Sequence, residues 1–371
     1  MTPPVVYTSG MSPCIISRRH LLAMGTSTLF AQTAPFRLPR KLRLAIIGFD
    51  GHPAEITSQL PRLPDLEVVA ISEPDPQVTA RVTRNGPLAA ATKYTDYREM
   101  LAREKLDLVA VCNNNGERAA AIISCLQRNL DVIAEKPLAL KMADLQKIKR
   151  LVSEKKTHLG MLLPMRFSPP YLAVKKVVEE GLVGEVAQIG GQKSYQLGTR
   201  PAWFLRKSTY GGTIPWIGIH MIDLMRWTSG REFREAASFQ SRVAFPELGE
   251  MENVTASIFK LDNGGVAALR MDFLRPATAP GHGDDRLRLA GTRGVVEYQA
   301  DSGRVTVMTS DRKPYVVETL PPAKSVFLDF LGAAYNGSRP SLTLGDIFKV
   351  NEITLAAQEA AEQRKLIVIP G

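Results

Sequence analysis

The sequence predicts an α/β protein, in which a doubly wound parallel sheet precedes an α+β domain with an open, mostly antiparallel sheet. Two observations predict this arrangement. Short apolar runs alternate with helix-like segments as far as about residue 160, which is typical of a parallel sheet. Strand-like alternation separated by turn signals follows. The 371 residues, 44% hydrophobic and 23% charged, are enough for two globular domains with large cores.

The predicted parallel sheet starts at the apolar run from Leu42 to Ile47, which ends at glycines. Similar runs recur three times with polar residues at the tip, and a last strand follows. These later runs are residues 66–75, 106–116, 131–137 and 158–164. Residues 114–130 and 143–156 carry apolar side chains at helical spacing. Ligands bind at the carboxyl ends of strands in such sheets, so the polar tips are candidate functional positions.

The second domain opens with a helix and a strand over residues 171–191. Residues 254–274, 285–299 and 304–310 then alternate as strands do, and "LDNGG" and "AGTRG" are turn signals between them. Residues 346–363 have the pattern of a closing helix. Together these signals predict an antiparallel sheet.

Charge and cysteine content exclude several classes of function. The formal charge is +10, but the basic residues are spread along the chain without a Lys/Arg tract, so no nucleic-acid partner is expected. The cysteines, Cys14, Cys112 and Cys125, form no CxxC pair and no metal-ligand spacing. Neither a disulfide framework nor a metal site is therefore predicted.

Residues 1–34 resemble a twin-arginine export signal. Arg18 and Arg19 precede a mildly apolar run over residues 21–31, and the segment contains no carboxylate. The run is about half of the roughly 20 residues that a membrane-spanning helix needs, so no integral membrane segment is expected. Residues 35–40 would be a linker, and the mature protein would be periplasmic. A basic tail without a targeting role is the alternative.

The first strand-to-helix turn, "IIGFDGHPAEI", partly matches a dinucleotide-binding fingerprint. The GxGxxG fingerprint uses glycines for the tight turn, for close approach of the pyrophosphate and for helix packing. Gly48 fits the first position, but Asp50 and Pro53 occupy the second and third. Gly51 would let the backbone approach phosphates in a shifted register. A plain strand-to-helix turn is the alternative.

Glu73 lies at the tip of the second predicted strand. A carboxylate at this position accepts hydrogen bonds from the adenosine-ribose hydroxyls and repels a 2′-phosphate. Glu73 therefore favours NAD over NADP, with a solvated loop carboxylate as the alternative.

Five segments together resemble the glucose–fructose oxidoreductase and inositol dehydrogenase superfamily (Gfo/Idh/MocA). The most specific is "DVIAEKPLAL", which contains the family's EKP motif. The others, in the family's order and spacing, are "DLVAVCNNNGERAAA", "MLLPMRFSPPY", "EEGLVGEV" and "GGTIPWIGIHMIDLMRWTSG". The resemblance covers essentially the whole chain after residue 40. It implies a Rossmann domain over residues 41–160 that binds NAD(P). It also implies a domain over residues 161–371 whose open sheet forms the substrate cleft and often an oligomer interface.

The resemblance also assigns roles at the strand tips. Lys136 would lie beside the nicotinamide and hydrogen-bond the hydroxyl that loses hydride, and a partly buried ammonium can join proton transfer. Asn113 and Asn115 would line the nicotinamide ribose, and Glu135 would fix the backbone or contact the cofactor. The predicted cofactor-binding set is Gly48, Phe49, Asp50, Gly51, Glu73, Asn113, Asn115, Glu135 and Lys136.

The family's Asp-x-Gly-x-His motif corresponds to "WIGIH" here. His220 would be the general base. Trp216 replaces the expected aspartate, so its role would either pass to Asp223, one helical turn further on, or be lost. Trp216 would either present its face to a sugar ring or belong to the core. For His220 the alternative is a satisfied histidine at a helix start.

Further substrate-facing positions implied by the family are Arg166, Tyr195, Arg200 and Lys207, for which solvated loop charges are the alternative. The predicted function is an exported NAD-dependent oxidoreductase acting on a sugar, polyol or glycoside, assembled as a homo-oligomer through its second sheet. The alternatives are an NAD-dependent glycosidase working by transient oxidation and elimination, or a non-catalytic relative.

Overall fold

A six-stranded parallel sheet forms the first part of the computed structural model, which describes residues 35–243 and 245–370. The predicted export signal therefore lies outside the described residues. The strands are β1 (Leu42–Ile47), β2 (Leu66–Ser72), β3 (Thr92–Tyr94), β4 (Leu108–Val111), β5 (Asp131–Ala134) and β6 (Leu159–Met161). Their order in the sheet, β3-β2-β1-β4-β5-β6, reverses direction between β1 and β4, which is where such sheets bind ligands.

Helices connect these strands and cover the sheet. They are α1 (Ala54–Thr57), α2 (Pro76–Val82), α3 (Tyr97–Arg103), α4 (Asn115–Leu126) and α5 (Met142–Lys155). The side chains of Asp75, Asp96 and Asn114 accept hydrogen bonds from backbone amides in the first turns of α2, α3 and α4. These N-caps explain why the helices start directly after the strand tips.

Near-continuous apolar sequence in β1, β4 and β5 reflects burial on both faces of the sheet. The prediction missed β3. That strand has three residues, and Thr92 and Lys93 are exposed, so no apolar run marks it. The predicted third and fourth strands are consequently β4 and β5.

The second sheet has nine strands in the order β14-β13-β12-β11-β7-β10-β9-β8-β15. These are β7 (Val186–Gln196), β8 (Phe233–Ser241), β9 (Val254–Leu261), β10 (Val266–Arg275), β11 (Gly283–Gly291), β12 (Gly294–Gln299), β13 (Arg304–Thr309), β14 (Tyr315–Val316) and β15 (Ile367–Val368). Only the β7–β10 pairing is parallel, and every other pairing in this described sheet is antiparallel. The predicted fold class is thus confirmed.

Helices pack on one face of the second sheet and leave the other face open. The helices on this face are α6 (Pro169–Glu179), α8 (Ile219–Ser229) and α10 (Leu344–Gln363), whereas α7 (Lys207–Tyr210) contacts α4 and α9 (Val326–Tyr335) contacts α1. Buried and exposed residues alternate along β9 and β10, as a one-sided sheet requires. On the open face, Phe239 and Ile258 are 74% and 56% exposed.

The closing helix α10 connects the two sheets. It packs against α5 and β6 on one side and against α8 and β8 on the other. Asn351, fully buried in α10, accepts a hydrogen bond from the backbone amide of Leu138 at 3.0 Å. Glu352 pairs with Lys149 at 3.1 Å. These contacts fix the loop after β5 against the second domain.

Among the described helices, none has the length and apolar character required to span a bilayer. In the same residues, no group of three histidine, cysteine, aspartate or glutamate side chains is placed to hold a metal ion.

Candidate active site

Two cavities lie near the carboxyl ends of the parallel strands. The strand-tip cavity, of about 420 Å³, is lined by residues that follow β1, β2 and β4, among them Gly48, Asp50, Glu73, Asn113 and Asn114. The interdomain cavity, of about 410 Å³, is lined from both domains by His52, Lys136, Tyr195, Arg200, Trp216, Ile217, His220, His282, Gly283, Asp285 and Ala300.

The turn after β1 requires glycine at two positions. Gly48 has φ +74° and Gly51 has φ +75°, both in the left-handed region. A Cβ on Gly48 would lie 2.5 Å from Asn113 Cα, and one on Gly51 would lie 2.6 Å from Glu135 Cδ. The turn therefore packs tightly on the tips of β4 and β5, and Gly48 also lines the strand-tip cavity.

Asp50 and Glu73 bring carboxylates to the strand-tip cavity. Asp50 Oδ1 accepts a hydrogen bond from Trp203 Nε1 at 2.9 Å, and burial raises its pKa. One oxygen of Asp50 is thus turned to the indole, away from the turn's backbone. Burial also raises the pKa of Glu73, whose Oε1 accepts from the Asp75 amide at 3.0 Å. Phe49 is half-buried against the apolar core.

Asn113 and Asn115 have different environments. Asn113 lines the strand-tip cavity, and its buried Oδ1 has no hydrogen-bond partner among the described residues. Asn115 is buried, donating to the Tyr210 carbonyl at 2.7 Å and accepting from Arg118 Nη1 at 2.7 Å. The expectation that Asn115 lines the nicotinamide ribose is corrected, because its amide is occupied within the protein.

Arg118, which the sequence reasoning missed, ties the tips of β4 and β5 together. Its fully buried guanidinium donates to the carbonyls of Asn113 and Lys136, the latter at 2.8 Å. The sequence places Arg118 in the predicted helix that begins at "NNGER". An arginine in such a helix is usually exposed, so its burial was not predicted.

Glu135 is completely buried and binds the turn after β1. Its Oε1 accepts from both the backbone amide and Nδ1 of His52, the ring nitrogen at 2.7 Å. Its Oε2 accepts from the Lys136 amide at 3.0 Å. Burial alone would raise the pKa of Glu135, but His52 and Lys136 outweigh it and lower the pKa to about 2. Glu135 therefore fixes the backbone, one of its two expected roles.

Lys136 is buried beside Trp216. Its Nζ donates to the Trp216 carbonyl at 2.8 Å and lies 3.3 Å from the centroid of the Trp216 ring. Burial lowers the pKa of Lys136 to about 7, against the opposing charge of Glu135. The indole face favours the ammonium form and so limits this shift. Lys136 is thus a buried amine that can gain or lose a proton near neutral pH.

His220 lines the same interdomain cavity from the first turn of α8. Burial, with the nearby charges of Lys136 and His52, lowers the pKa of His220 well below its ordinary value. The imidazole is therefore neutral at physiological pH, and its buried Nδ1 has no partner in the described part of the chain. A buried, unpaired ring nitrogen does not fit the alternative of a satisfied helix-start histidine.

His52 is a further residue that the sequence reasoning missed. Its ring packs edge-on against that of His220, with centroids 5.5 Å apart and planes at 87°. Glu135 orients it through Nδ1, and its side chain is 37% exposed. The turn "GFDGHP" after β1 places His52 in the interdomain cavity. The sequence of this turn does not indicate that His52 forms a hydrogen bond with Glu135.

Trp216 belongs to a one-turn π-helix, Ile214–Gly218, immediately before α8. It is 9% exposed and packs with Trp203 and Phe204 at ring distances of 5.2 and 5.4 Å. Trp216 therefore belongs to the core, as one interpretation expected, and it also lines the interdomain cavity.

Asp223 does not assist His220. Both of its oxygens pair with buried Arg166, and the Nε–Oδ2 distance is 3.0 Å. Arg166 also contacts Asp346 at 3.0 Å. Neither Arg166 nor Asp223 lines the interdomain cavity. The expected catalytic role of Asp223 and substrate role of Arg166 are corrected, because both side chains are consumed in a buried ion-pair cluster.

Tyr195 and Arg200 lie on the cavity wall, as expected. Asp285, which the sequence reasoning missed, lies on the same wall. Lys193, also missed, does not line the cavity but pairs with Asp285. Lys193 is fully buried, and its Nζ pairs with Asp285 Oδ2 at 2.8 Å, whereas the buried Oδ1 of Asp285 has no described partner. Strand alternation alone places Lys193 on a sheet face without indicating which face is buried.

Lys207 is located elsewhere. Its Nζ pairs with Glu252 at 2.6 Å and Glu362 at 3.0 Å, and it lines a different cavity beside α10. Its predicted contact with substrate is therefore corrected.

A glycine turn at the topological switch point, beside a cavity with a buried amine and a neutral imidazole, is typical of a nicotinamide-dependent oxidoreductase. Comparison with family models agrees. The model for the oxidoreductase-family NAD-binding Rossmann fold matches residues 42–162, and that for the GFO/IDH/MocA C-terminal domain matches residues 171–297. The chain belongs to the Gfo/Idh/MocA family of NAD-binding oxidoreductases.

Relatives match along most of their length. Myo-inositol 2-dehydrogenase of Thermotoga maritima is 23% identical over 340 residues, 88% of this chain and 98% of that protein. A solved structure from Thermotoga maritima, described by its name only as an oxidoreductase candidate, is 31% identical, with a TM-score of 0.82 over 88% of this chain and 100% of that one. Levoglucosan dehydrogenase in complex with NADH and levoglucosan shares the fold, with 19% identity, a TM-score of 0.76, and coverage of 90% of this chain and 100% of that chain.

Proposed function

We propose that this protein oxidises a hydroxyl group of a sugar, polyol or glycoside with NAD, and that Lys136 and His220 handle the proton. The observation that carries the proposal is the single interdomain cavity lined by both side chains, next to the glycine turn. The names of the inositol and levoglucosan dehydrogenases support the substrate class. The cavity of about 410 Å³ is near the lower end of the range for small-molecule sites, which suits one sugar ring.

The strand-tip cavity suits the nucleotide. Gly48 lines this cavity without a side chain, which permits close approach of a pyrophosphate. The unpaired Oδ1 of Asn113 can accept from a ribose hydroxyl, and Glu73 can accept from the other ribose. When bound, NAD would supply the hydride acceptor.

Lys136 would donate a hydrogen bond to the substrate oxygen and so stabilise negative charge as the hydroxyl proton leaves. Neutral His220 would accept that proton. His52, edge-on to His220 and partly exposed, would pass the proton toward solvent while Glu135 holds its ring in place.

Glu73 would favour NAD over NADP because a carboxylate repels a 2′-phosphate. The Glu73→Ser variant should bind NADP about tenfold more tightly relative to NAD, measured by calorimetric titration of both nucleotides. Glu117→Ser, which removes another carboxylate from the same cavity, is the control. Equal changes in both variants would contradict the assignment to Glu73.

We further propose that residues 1–34 direct export through the twin-arginine route, on the evidence of the Arg18-Arg19 pair and the short apolar run. Fusion of these residues to a reporter, with Arg18→Lys and Arg19→Lys together as the control, tests this. Loss of periplasmic reporter in the paired variant supports the route, and unchanged export contradicts it.

Self-association through the open face of the second sheet is also proposed. Phe239 and Ile258 are large apolar side chains on this face, and such patches mark interaction sites. Sedimentation should give an oligomer for the parent and a smaller species for Ile258→Glu.

Mass spectrometry of gently purified protein, followed by turnover with a panel of sugars and polyols, tests the main proposal. Bound NAD and reduction of NAD by at least one panel member are expected, and Lys136→Ala should abolish the turnover. Protein that binds no nucleotide would favour a non-catalytic relative. Release of free sugar from glycosides without net NADH would instead indicate the oxidation–elimination route.

A further inference from the structure

Arg200 is a cation of the interdomain cavity without a counter-ion. It follows β7 in the loop that forms one wall of the cavity, and it is half-buried. Its Nη2 donates to the Gln196 carbonyl at 3.0 Å, and its buried Nε has no partner in the described chain. Among the described residues, no carboxylate forms an ion pair with Arg200, and the groups that interact with it electrostatically are the phenols of Tyr210 and Tyr195 and the imidazole of His282.

Two aromatic rings hold the guanidinium in place. Arg200 Cζ lies 4.7 Å from the centroid of Phe273 and 5.4 Å from that of Phe204. Stacking fixes the plane of the group and leaves its edge free to donate hydrogen bonds. A guanidinium edge of this kind matches the two oxygens of a carboxylate. Burial lowers the pKa of Arg200, but arginine remains charged in proteins.

The other charges around the cavity do not neutralise Arg200. Asp285 is already paired with Lys193 at 2.8 Å, so this pair adds no net charge to the wall. Glu135 is paired with His52 behind the wall. The cavity is therefore electropositive, and Lys136 adds to this when protonated. An electropositive, partly desolvated cavity attracts anions.

We infer that the substrate is a sugar acid or polyol acid whose carboxylate binds Arg200 while a carbinol on the same molecule reaches Lys136 and His220. This inference rests on the proposed dehydrogenase function and specifies its substrate class. The unpaired Oδ1 of Asp285, on the same wall, accepts a hydrogen bond from another hydroxyl of the ring. One unpaired guanidinium matches a single negative charge better than the two of a phosphate.

Turnover of matched substrates tests the inference, since glucose and glucuronate, or galactose and galacturonate, differ only in a hydroxymethyl or carboxylate group. The NAD-loaded parent should have kcat/KM at least about tenfold higher for the acid of the favoured pair. Arg200→Gln should lower kcat/KM for that acid about 30-fold, chiefly through KM, and change kcat/KM for the neutral sugar less than about threefold. Arg200→Lys should recover part of the preference.

Arg128→Gln, at an exposed arginine on the outside of the first domain, is the matched control and should behave as the parent. Calorimetric titration of the acid into NAD-loaded protein adds a binding measurement, in which Arg200→Gln should lose most of the affinity. Oxidation of neutral polyols but not of acids, or preference for a sugar phosphate, would overturn the inference and leave the proposed function intact. No turnover of either class would overturn both.

Discussion

Two clusters of buried charged and polar side chains lie in the second domain. They differ in how many of their polar atoms have a hydrogen-bond or ion-pair partner. In the ion-pair cluster, Arg166 and Arg226 between them bind Asp223, Asp346 and Glu232, and Asp346 contacts both arginines. In the cavity cluster, several polar atoms have no partner among the described residues: His220 Nδ1, Asp285 Oδ1 and Arg200 Nε.

This difference in pairing distinguishes charged residues that stabilise the fold from charged residues that are available to bind a ligand. Unpaired buried polar groups are costly, so proteins retain them mainly where a ligand supplies the partner. The paired cluster instead joins α8 to the start of α10. Asp223 lies one helical turn from His220 yet belongs to the paired cluster, whereas Asp285, which the sequence did not single out, belongs to the cavity cluster through its unpaired Oδ1.

The largest expected effect is on the cavity cluster. Lys136→Met should lower kcat by about 10³-fold, because the hydroxyl loses its hydrogen-bond donor, with little loss of stability, because a buried amine of low pKa contributes none. Steady-state kinetics and urea unfolding measure the two effects. Lys147→Met, on the exposed face of α5, is the control. A Lys136→Met variant that is destabilised and still active would reverse the comparison.

The ion-pair cluster should respond in the opposite way. Arg166→Met leaves Asp223 buried and unpaired, which should lower the free energy of unfolding by about 3–5 kcal/mol. The kcat of the folded fraction should stay within about threefold of the parent. Urea unfolding and active-site titration with NAD measure these quantities. A large fall in kcat of folded protein, with stability unchanged, would return Arg166 to the substrate site.

His220→Ala should lower kcat by about 10²-fold, a smaller effect than that of Lys136→Met because water or His52 can accept the proton in its place. His52→Ala should cost less still, and the double variant should be slower than either single variant. Single-turnover measurements with saturating NAD separate these steps from product release. Identical rates for the parent and His220→Ala would remove the histidine from the proton path.

The smallest expected effects are on pH dependence, and the two clusters should titrate in different windows. The pKa of Asp346 is lowered from 3.8 to about 2 against the effect of burial, mainly by Arg166. Its contribution to stability is therefore present above about pH 4 and lost as pH falls toward 2.

Lys136 has the opposite sign, because its pKa is lowered from 10.5 to about 7. The unfolded chain binds the extra proton in this range, so stability should rise with pH between about 7 and 10.5. Urea midpoints across pH should show this rise in the parent and not in Lys136→Met. The kcat/KM for oxidation should fall as pH rises through an apparent pKa near 7, because the ammonium form of Lys136 is the form that stabilises negative charge on the substrate oxygen, and a flat profile would contradict a titrating amine in the cavity.

Sequence patterns predicted much of the architecture because the order of apolar and polar residues depends on which faces of a strand or helix are buried. The β1, β4 and β5 runs are apolar since both faces are covered, and alternation in β9 and β10 marks a one-sided sheet. The short, polar strand β3 has no apolar run or alternation that could indicate it. The parallel β7–β10 pairing joins distant segments, which no local pattern specifies.

For the site, the sequence by itself determined which chemical groups are available and where the strands end: the glycine turn, Glu73, and the Glu135-Lys136 pair at the tip of β5. Only the tertiary structure decided which groups are paired. It placed Asp223 against Arg166, Lys207 against two glutamates, and Asn115 against Arg118. The physical reason is that pairing depends on distances of about 3 Å between segments far apart in the chain, whereas sequence patterns report only local periodicity and burial.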